Sequence, residues 1–174
     1  MKSKLKIIFI ALVALFTLSN AAEAQRIAVV DITEVLNSLD EYTAAQADLD
    51  ATAEQWRQEI AKEQEKISSL YNAYQTEQVL LSEDAKVKKE NEIIELEKKV
   101  RELQRKRFGP EGDLFRKQED LVTPIQQKVF NTIEDYASER GYDFILDKGG
   151  STGILFANPR MDKTVDIINR LNRN

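Results

Sequence analysis

Residues 49–81 read LDATAEQWRQEIAKEQEKISSLYNAYQTEQVLL, and residues 41–81 hold neither Gly nor Pro. Apolar residues recur there at three-four spacing. With the first heptad position on Ala53, the same position falls on Ile60, Ile67, Tyr74 and Leu81. Leu49, Trp56 and Leu70 take the fourth position, and Glu63 and Glu77 break that second series. A sustained seven-residue repeat predicts a long helix showing a narrow stripe to a partner helix. At 1.5 Å per residue, roughly 40 residues make an arm about 60 Å long.

The partner comes next in the chain. Leu81-Ser82-Glu83-Asp84 supplies a turn, with Ser82 as N-cap and two acids in the first turn of a new helix. That helix carries Ile93, Leu96, Val100 and Leu103, so the two helices predict an antiparallel hairpin. Phe108-Gly109-Pro110-Glu111-Gly112-Asp113 then interrupts it. Pro110 lacks an N–H donor, and Gly109 and Gly112 loosen the chain. The apolar series resumes one position out of step at Phe115, Val122, Ile125, Val129, Ile133 and Tyr136. Residues 108–113 therefore read as a kink or hinge, centred on Gly109, Pro110 and Gly112.

Working outward, the two ends of the chain make a base. Residues 26–31 read as a strand and residues 33–39 as a short helix. Gly141 stops the returning helix. Residues 142–147 read as a second strand, residues 148–153 as a turn and residues 154–157 as a third strand, the last two forming a hairpin. Asp162 caps a last helix with Val165, Ile168 and Leu171 on its apolar face. The expected division is an α/β head from residues 25–40 and 141–174, and an arm from 41–140. Phe144-Ile145-Leu146 and Ile154-Leu155-Phe156 are apolar on both faces, more than two short helices cover. Oligomerisation through the head follows, with Ile27, Val29, Phe144, Ile145, Ile154 and Phe156 as interface candidates.

The chain opens with Lys2, Lys4 and Lys6, an apolar run over residues 7–18, and Ala22-Glu23-Ala24. This is the pattern of a secretory signal peptide cleaved after Ala24, its apolar core being too short to span a membrane. No Cys follows to carry a lipid, so the expected mature chain starts at Gln25 and is soluble. Removing residues 1–24 takes away three Lys and one Glu, leaving 22 bases against 29 acids, a net charge of −7. That balance argues against nucleic acid as a partner. The outgoing limb over residues 40–80 holds nine acids and three bases, whereas residues 82–108 hold nine bases and seven acids. Pairing across the hairpin and along each helix accounts for such a distribution.

Cys and His are both absent. Disulfide staples, thiol catalysis, His-based triads and zinc sites built on His or Cys go with them. The acids lie on charged helical faces without pocket-forming loops, so no catalytic, cofactor or metal residue is assigned and the chain does not read as an enzyme.

In the order and length of these segments the mature chain resembles the Skp/OmpH family of periplasmic chaperones. The resemblance runs from residues 26–31 through the charged hairpin to Gly141-Tyr142-Asp143-Phe144-Ile145-Leu146-Asp147 and Asp162-Lys163-Thr164. The break at Phe108-Gly109-Pro110 and the segment Leu121-Val122-Thr123-Pro124-Ile125 look like the version of the family in Bacteroidetes-type bacteria. The resemblance implies a mostly helical α+β fold of prefoldin-like jellyfish architecture: a homotrimer with a β-barrel head and three coiled-coil hairpin arms. It implies an ATP-independent holdase that encloses unfolded outer-membrane β-barrel proteins in the periplasm. Apolar residues that the seam does not need are the client-contact candidates: Tyr71, Val79, Leu80, Val87, Ile94 and Phe108. Packing between the limbs is the competing role for each, and Trp56 reads as seam packing. The best-known members are strongly basic and bind lipopolysaccharide through that charge. This acidic chain carries over no such site, and any membrane contact is transient at most. The competing function is a structural or adaptor hairpin bridging envelope components. A peptidoglycan- or surface-binding module has no aromatic platform to support it.

Overall fold

The computed structural model describes residues 25–150 and 153–173. The proposed signal peptide, Ser151 and Thr152 lie outside the described residues. A strand β1 (Ile27–Val30) leads into a short helix α1 (Ile32–Asn37), then a long helix α2 (Asp40–Glu77). A single 3-10 turn at Gln78–Leu80 reverses the chain into α3 (Glu83–Phe108). After a break the limb continues as α4 (Asp113–Arg140), then β2 (Phe144–Asp147) and a closing helix α5 (Thr164–Leu171).

The heptad reading of the arm matches the burial. Leu49, Ala53, Ile60 and Tyr74 of α2 and Ile93 and Val100 of α3 are buried. Trp56, Ile67, Leu81, Leu96 and Leu103 are partly covered. Ser82 caps α3, its side chain accepting from the Ala85 N–H. Four ion pairs run up the hairpin, each joining an acid of α2 to a base of the returning limb. They are Glu41 with Lys128 at 2.9 Å, Asp48 with Lys117 at 3.0 Å, Glu59 with Arg107 at 3.4 Å and Glu77 with Lys89 at 2.7 Å. The Tyr74 hydroxyl also bonds Glu90. The charge of the two limbs is thus met partly across the hairpin and partly along each helix, as in Lys86–Glu83 and Arg101–Glu97, and the cross-limb pairs support the register.

The core sits where the base of the arm meets the two chain ends. Val30, Val35, Leu36 and Leu39 pack with Ala45 of α2, Ile125, Val129 and Tyr136 of α4, and Ile167 and Leu171 of α5. At the end of α4, Gly141 adopts φ 65°, ψ 42°, the left-handed geometry that a Cβ disfavours. Its N–H reaches back to the Ala137 and Ser138 carbonyls. Pro124 lies inside α4 on an exposed face, where the missing N–H costs the helix one internal bond.

The sequence left the pairing of the first strand open, and two of its expectations, the β2–β3 hairpin and the face of the closing helix, are corrected. β1 and β2 pair in parallel, Ile27 with Phe144 through Val30 with Asp147, with the whole arm as the crossover. The expected β2–β3 hairpin is absent: residues 154–157 form no strand, with Leu155 fully exposed and Phe156 83% exposed. A run that is apolar on both faces finds no cover in one chain, so it has no sheet to join. In the closing helix Leu171 is buried and Ile168 packs against the core as expected, but Val165 is exposed and Ile167 takes the central buried place instead. Asp162 lies two residues before the helix, where it accepts from both the Thr164 N–H at 3.0 Å and Oγ1 at 2.6 Å. Lys148 donates to its other oxygen at 2.7 Å. Burial pushes this carboxyl up, but the bonds from Lys148 and Thr164 outweigh burial and hold its pKa down at about 2.

Candidate client-binding arm and assembly surface

All six arm residues singled out from the sequence are exposed. Val79 and Leu80 at the tip are 83% and 87% exposed, while Tyr71, Val87 and Ile94 are half-exposed. The tip places them there because the 3-10 turn buries no residue and spends its backbone on reversal. Val87 and Ile94 lie seven residues apart and Phe108 fourteen further on, so the three share one face of α3. Tyr71 sits one turn before Tyr74, level with Ile93 and Ile94 through the Tyr74–Glu90 bond.

Phe108 is the least exposed of the six, and part of it is engaged. Its ring meets Trp56 edge-on, with centroids 6.3 Å and planes 80° apart. Trp56 therefore does pack in the seam, as its heptad position predicts. Leu70, assigned to the seam, is one-third exposed, because Glu77 and Glu63 on either side leave the fourth-position row without neighbours. At Glu63 the row opens into a groove of about 310 Å³ lined by Glu59, Glu63, Ile67, Leu96 and Leu103. Phe115, read as the first member of the resumed apolar series, and Phe130, next to its Val129, are both about half exposed.

The break itself is tightly built. A Cβ on Gly109 would stand 2.3 Å from the Arg105 carbonyl oxygen, and one on Gly112 would stand 2.8 Å from that of Gly109. Between them Glu111 takes φ 56°. Only the returning limb is interrupted, since α2 runs unbroken past this level.

In the head, the interface candidates divide. Val29 is buried and Ile145 packs against the chain's own core, so neither presents a free side chain. Ile27 and Ile154 are partly covered. Phe144 is 53% exposed and Phe156 more so, joined by Leu146 and Leu155, which the candidate set lacked. β1 is flanked by β2 on one side and by a bridge from Val29 to Asp162 on the other. The outer edge of β2 has no strand partner among the described residues. Among these residues no group of acids is arranged to hold a metal, and no helix is long and apolar enough to cross a membrane.

A small head of two parallel strands thus carries a long helical hairpin. The profile of the family described as outer membrane protein (OmpH-like) matches residues 26–171. The chain belongs to the OmpH-like family, which is non-enzymatic. Its fold matches the crystal structure of an OmpH-like candidate outer membrane chaperone from Caulobacter crescentus CB15. The TM-score is 0.70 at 14% identity, covering 88% of this chain and 87% of that one. No curated protein matches the sequence.

Proposed function

We propose that this chain is an ATP-independent periplasmic holdase chaperone that encloses unfolded outer-membrane β-barrel proteins and keeps them from aggregating. The carrying observation is the arm. Tyr71, Val79, Leu80, Val87 and Ile94 stand exposed on a hairpin whose seam is already filled by other residues. Monomeric soluble proteins keep such residues scattered or covered, and repeated exposure along one device marks an interaction surface. An unfolded β-barrel precursor offers apolar segments and unpaired backbone, which many weak contacts of this kind hold without a chemical step. The OmpH-like family and the related chaperone structure support the same reading.

In this reading the head assembles three chains. The uncovered apolar residues Phe144, Leu146, Leu155 and Phe156 and the free edge of β2 form the contact. Residues 154–157 become a strand there, against a second copy. Gly109, Pro110 and Gly112 serve as the joint of the arm, and export follows from a signal peptide over residues 1–24. The test is aggregation of a urea-unfolded outer-membrane β-barrel on dilution. Light scattering falls in the presence of the protein without ATP, and undiminished scattering at threefold molar excess rejects the holdase. The ion-pair ladder favours one other reading, a stiff adaptor strut. Hydrogen exchange separates them: a strut protects its tip as well as its base, whereas a holdase arm exchanges fast at Val79–Leu81.

A further inference from the structure

Three helices meet on one side chain at the break. Arg107, in the last turn of α3, donates through Nη1 to Asp113 at 2.9 Å and through Nη2 to Glu59 at 3.4 Å. Its guanidinium lies 4.5 Å from the centre of the Trp56 ring. Asp113 is the first residue of α4, while Glu59 and Trp56 belong to α2. Phe108 meets Trp56 edge-on, and Arg57 lies 5.9 Å from the Phe108 ring centre. Within this cluster Arg107 Nε is buried and has no hydrogen-bond partner.

We propose that the Arg107–Trp56 cluster is a latch across the break, holding α3 against α2 and α4, whose release lets the upper hairpin shift on the lower limb. Freedom of the backbone at residues 109–112 cannot by itself bend the arm, because α2 passes the same level as a continuous helix. The upper limb moves only if α3 rolls or slides over α2. At the break the stacked guanidinium on Trp56 and the bond to Glu59 oppose this, adding to the seam and the Glu77–Lys89 and Tyr74–Glu90 contacts above it. The bond to Asp113 ties the end of α3 to the start of α4 across the four-residue gap. Both carboxylates and the guanidinium keep contact with solvent, their side chains being 20–44% exposed, so salt weakens the latch. The unpaired Nε is a standing penalty on the closed form, which an open form relieves by letting water reach it. That penalty offsets part of what the closed contacts contribute and so narrows the gap to an open form.

The latch deepens the reading of the arm as a moving device, and it is tested without any client. Trp56 is the single tryptophan of the chain, so its emission reports on the cluster directly. The full mature chain is compared with Arg107→Lys, which keeps the charge but loses the flat fork, and with Asp113→Asn. Both variants raise hydrogen exchange at residues 109–114 by about tenfold and shift Trp56 emission to the red, while exchange around Val129 and Ile167 stays unchanged. Raising NaCl to about 0.5 M moves the wild-type protein the same way. Unaltered exchange at 109–114 together with unaltered emission in both variants overturns the latch. If a variant loses protection in the head, the wild-type salt titration decides: emission and exchange that ignore salt overturn it. Client capture is scored separately, so failure to hold a client rejects the holdase and leaves the latch standing.

Discussion

The head and the arm use their apolar residues in opposite ways. In the head, Val30, Val35 and Ile167 are entirely shut off from solvent, packed on Val129 from the base of the arm, and helices from both chain ends close over them. In the arm the seam is one row deep, its buried members separated by Glu, Lys and Gln, while Val79, Leu80, Val87 and Ile94 point outward. The head spends its hydrophobic residues on its own stability. The arm holds its shape by register, through a heptad seam and a ladder of ion pairs, and leaves apolar surface free. The comparison teaches that exposure in the arm is a consequence of having just enough seam and no more.

The contrast can be broken hardest in the head. Replacing Ile167 by Ala removes a fully buried side chain from the main core and costs about 3 kcal/mol in urea unfolding. The same change at Ile93, in the thin seam, costs less than half of that, since the hairpin collapses around the gap. Equal losses at the two sites would show that head and arm are one cooperative core.

Asp162 comes next. Its folded pKa of about 2 lies below the unfolded carboxylate value, so its stabilisation is fully present above about pH 4. It is lost as pH falls through about 2. Asp162→Asn lowers stability by about 1–2 kcal/mol at pH 7, a figure reduced for the partial exposure of the Lys148–Asp162 pair. Thermal melts of the two proteins converge on acidification. A gap that persists below pH 2 removes Asp162 as its source. Gly141→Ala forces a Cβ into left-handed backbone and costs about 1 kcal/mol, read from the same melts.

The smallest effect on stability belongs to the arm surface. Leu80→Ser with Ile94→Ser changes unfolding free energy by less than about 0.5 kcal/mol, because both side chains already face water. Client capture by the same variant drops several-fold. A stability loss matching that of Ile93→Ala would assign these residues to packing.

The arm was legible in the sequence because its physics is local and periodic. Ala53, Ile60, Tyr74, Ile93 and Val100 follow from spacing alone, and Ser82 and Gly141 end helices by chemistry of their own. The charge imbalance announced that the limbs pair, while only the fold tells which acid meets which base. The head was read less well because its contacts are non-local. The parallel pairing of β1 with β2 joins residues more than a hundred positions apart, and no short-range signal carries it. Residues 154–157 have the composition of a strand, but one chain lacks the sheet that would receive them. In the closing helix spacing alone picked out Ile168 and Leu171 but not Ile167, which the core beneath it decides.

In the proposed function the arms hold an unfolded chain. The most direct measurement is size-exclusion co-elution of the mature protein with a urea-diluted outer-membrane β-barrel precursor, with light-scattering mass across the peak. The predicted result is a complex of three chains and one client, absent when the same β-barrel is folded beforehand. An assembled protein that elutes alone beside the unfolded client would contradict the holdase and leave the hairpin as a strut.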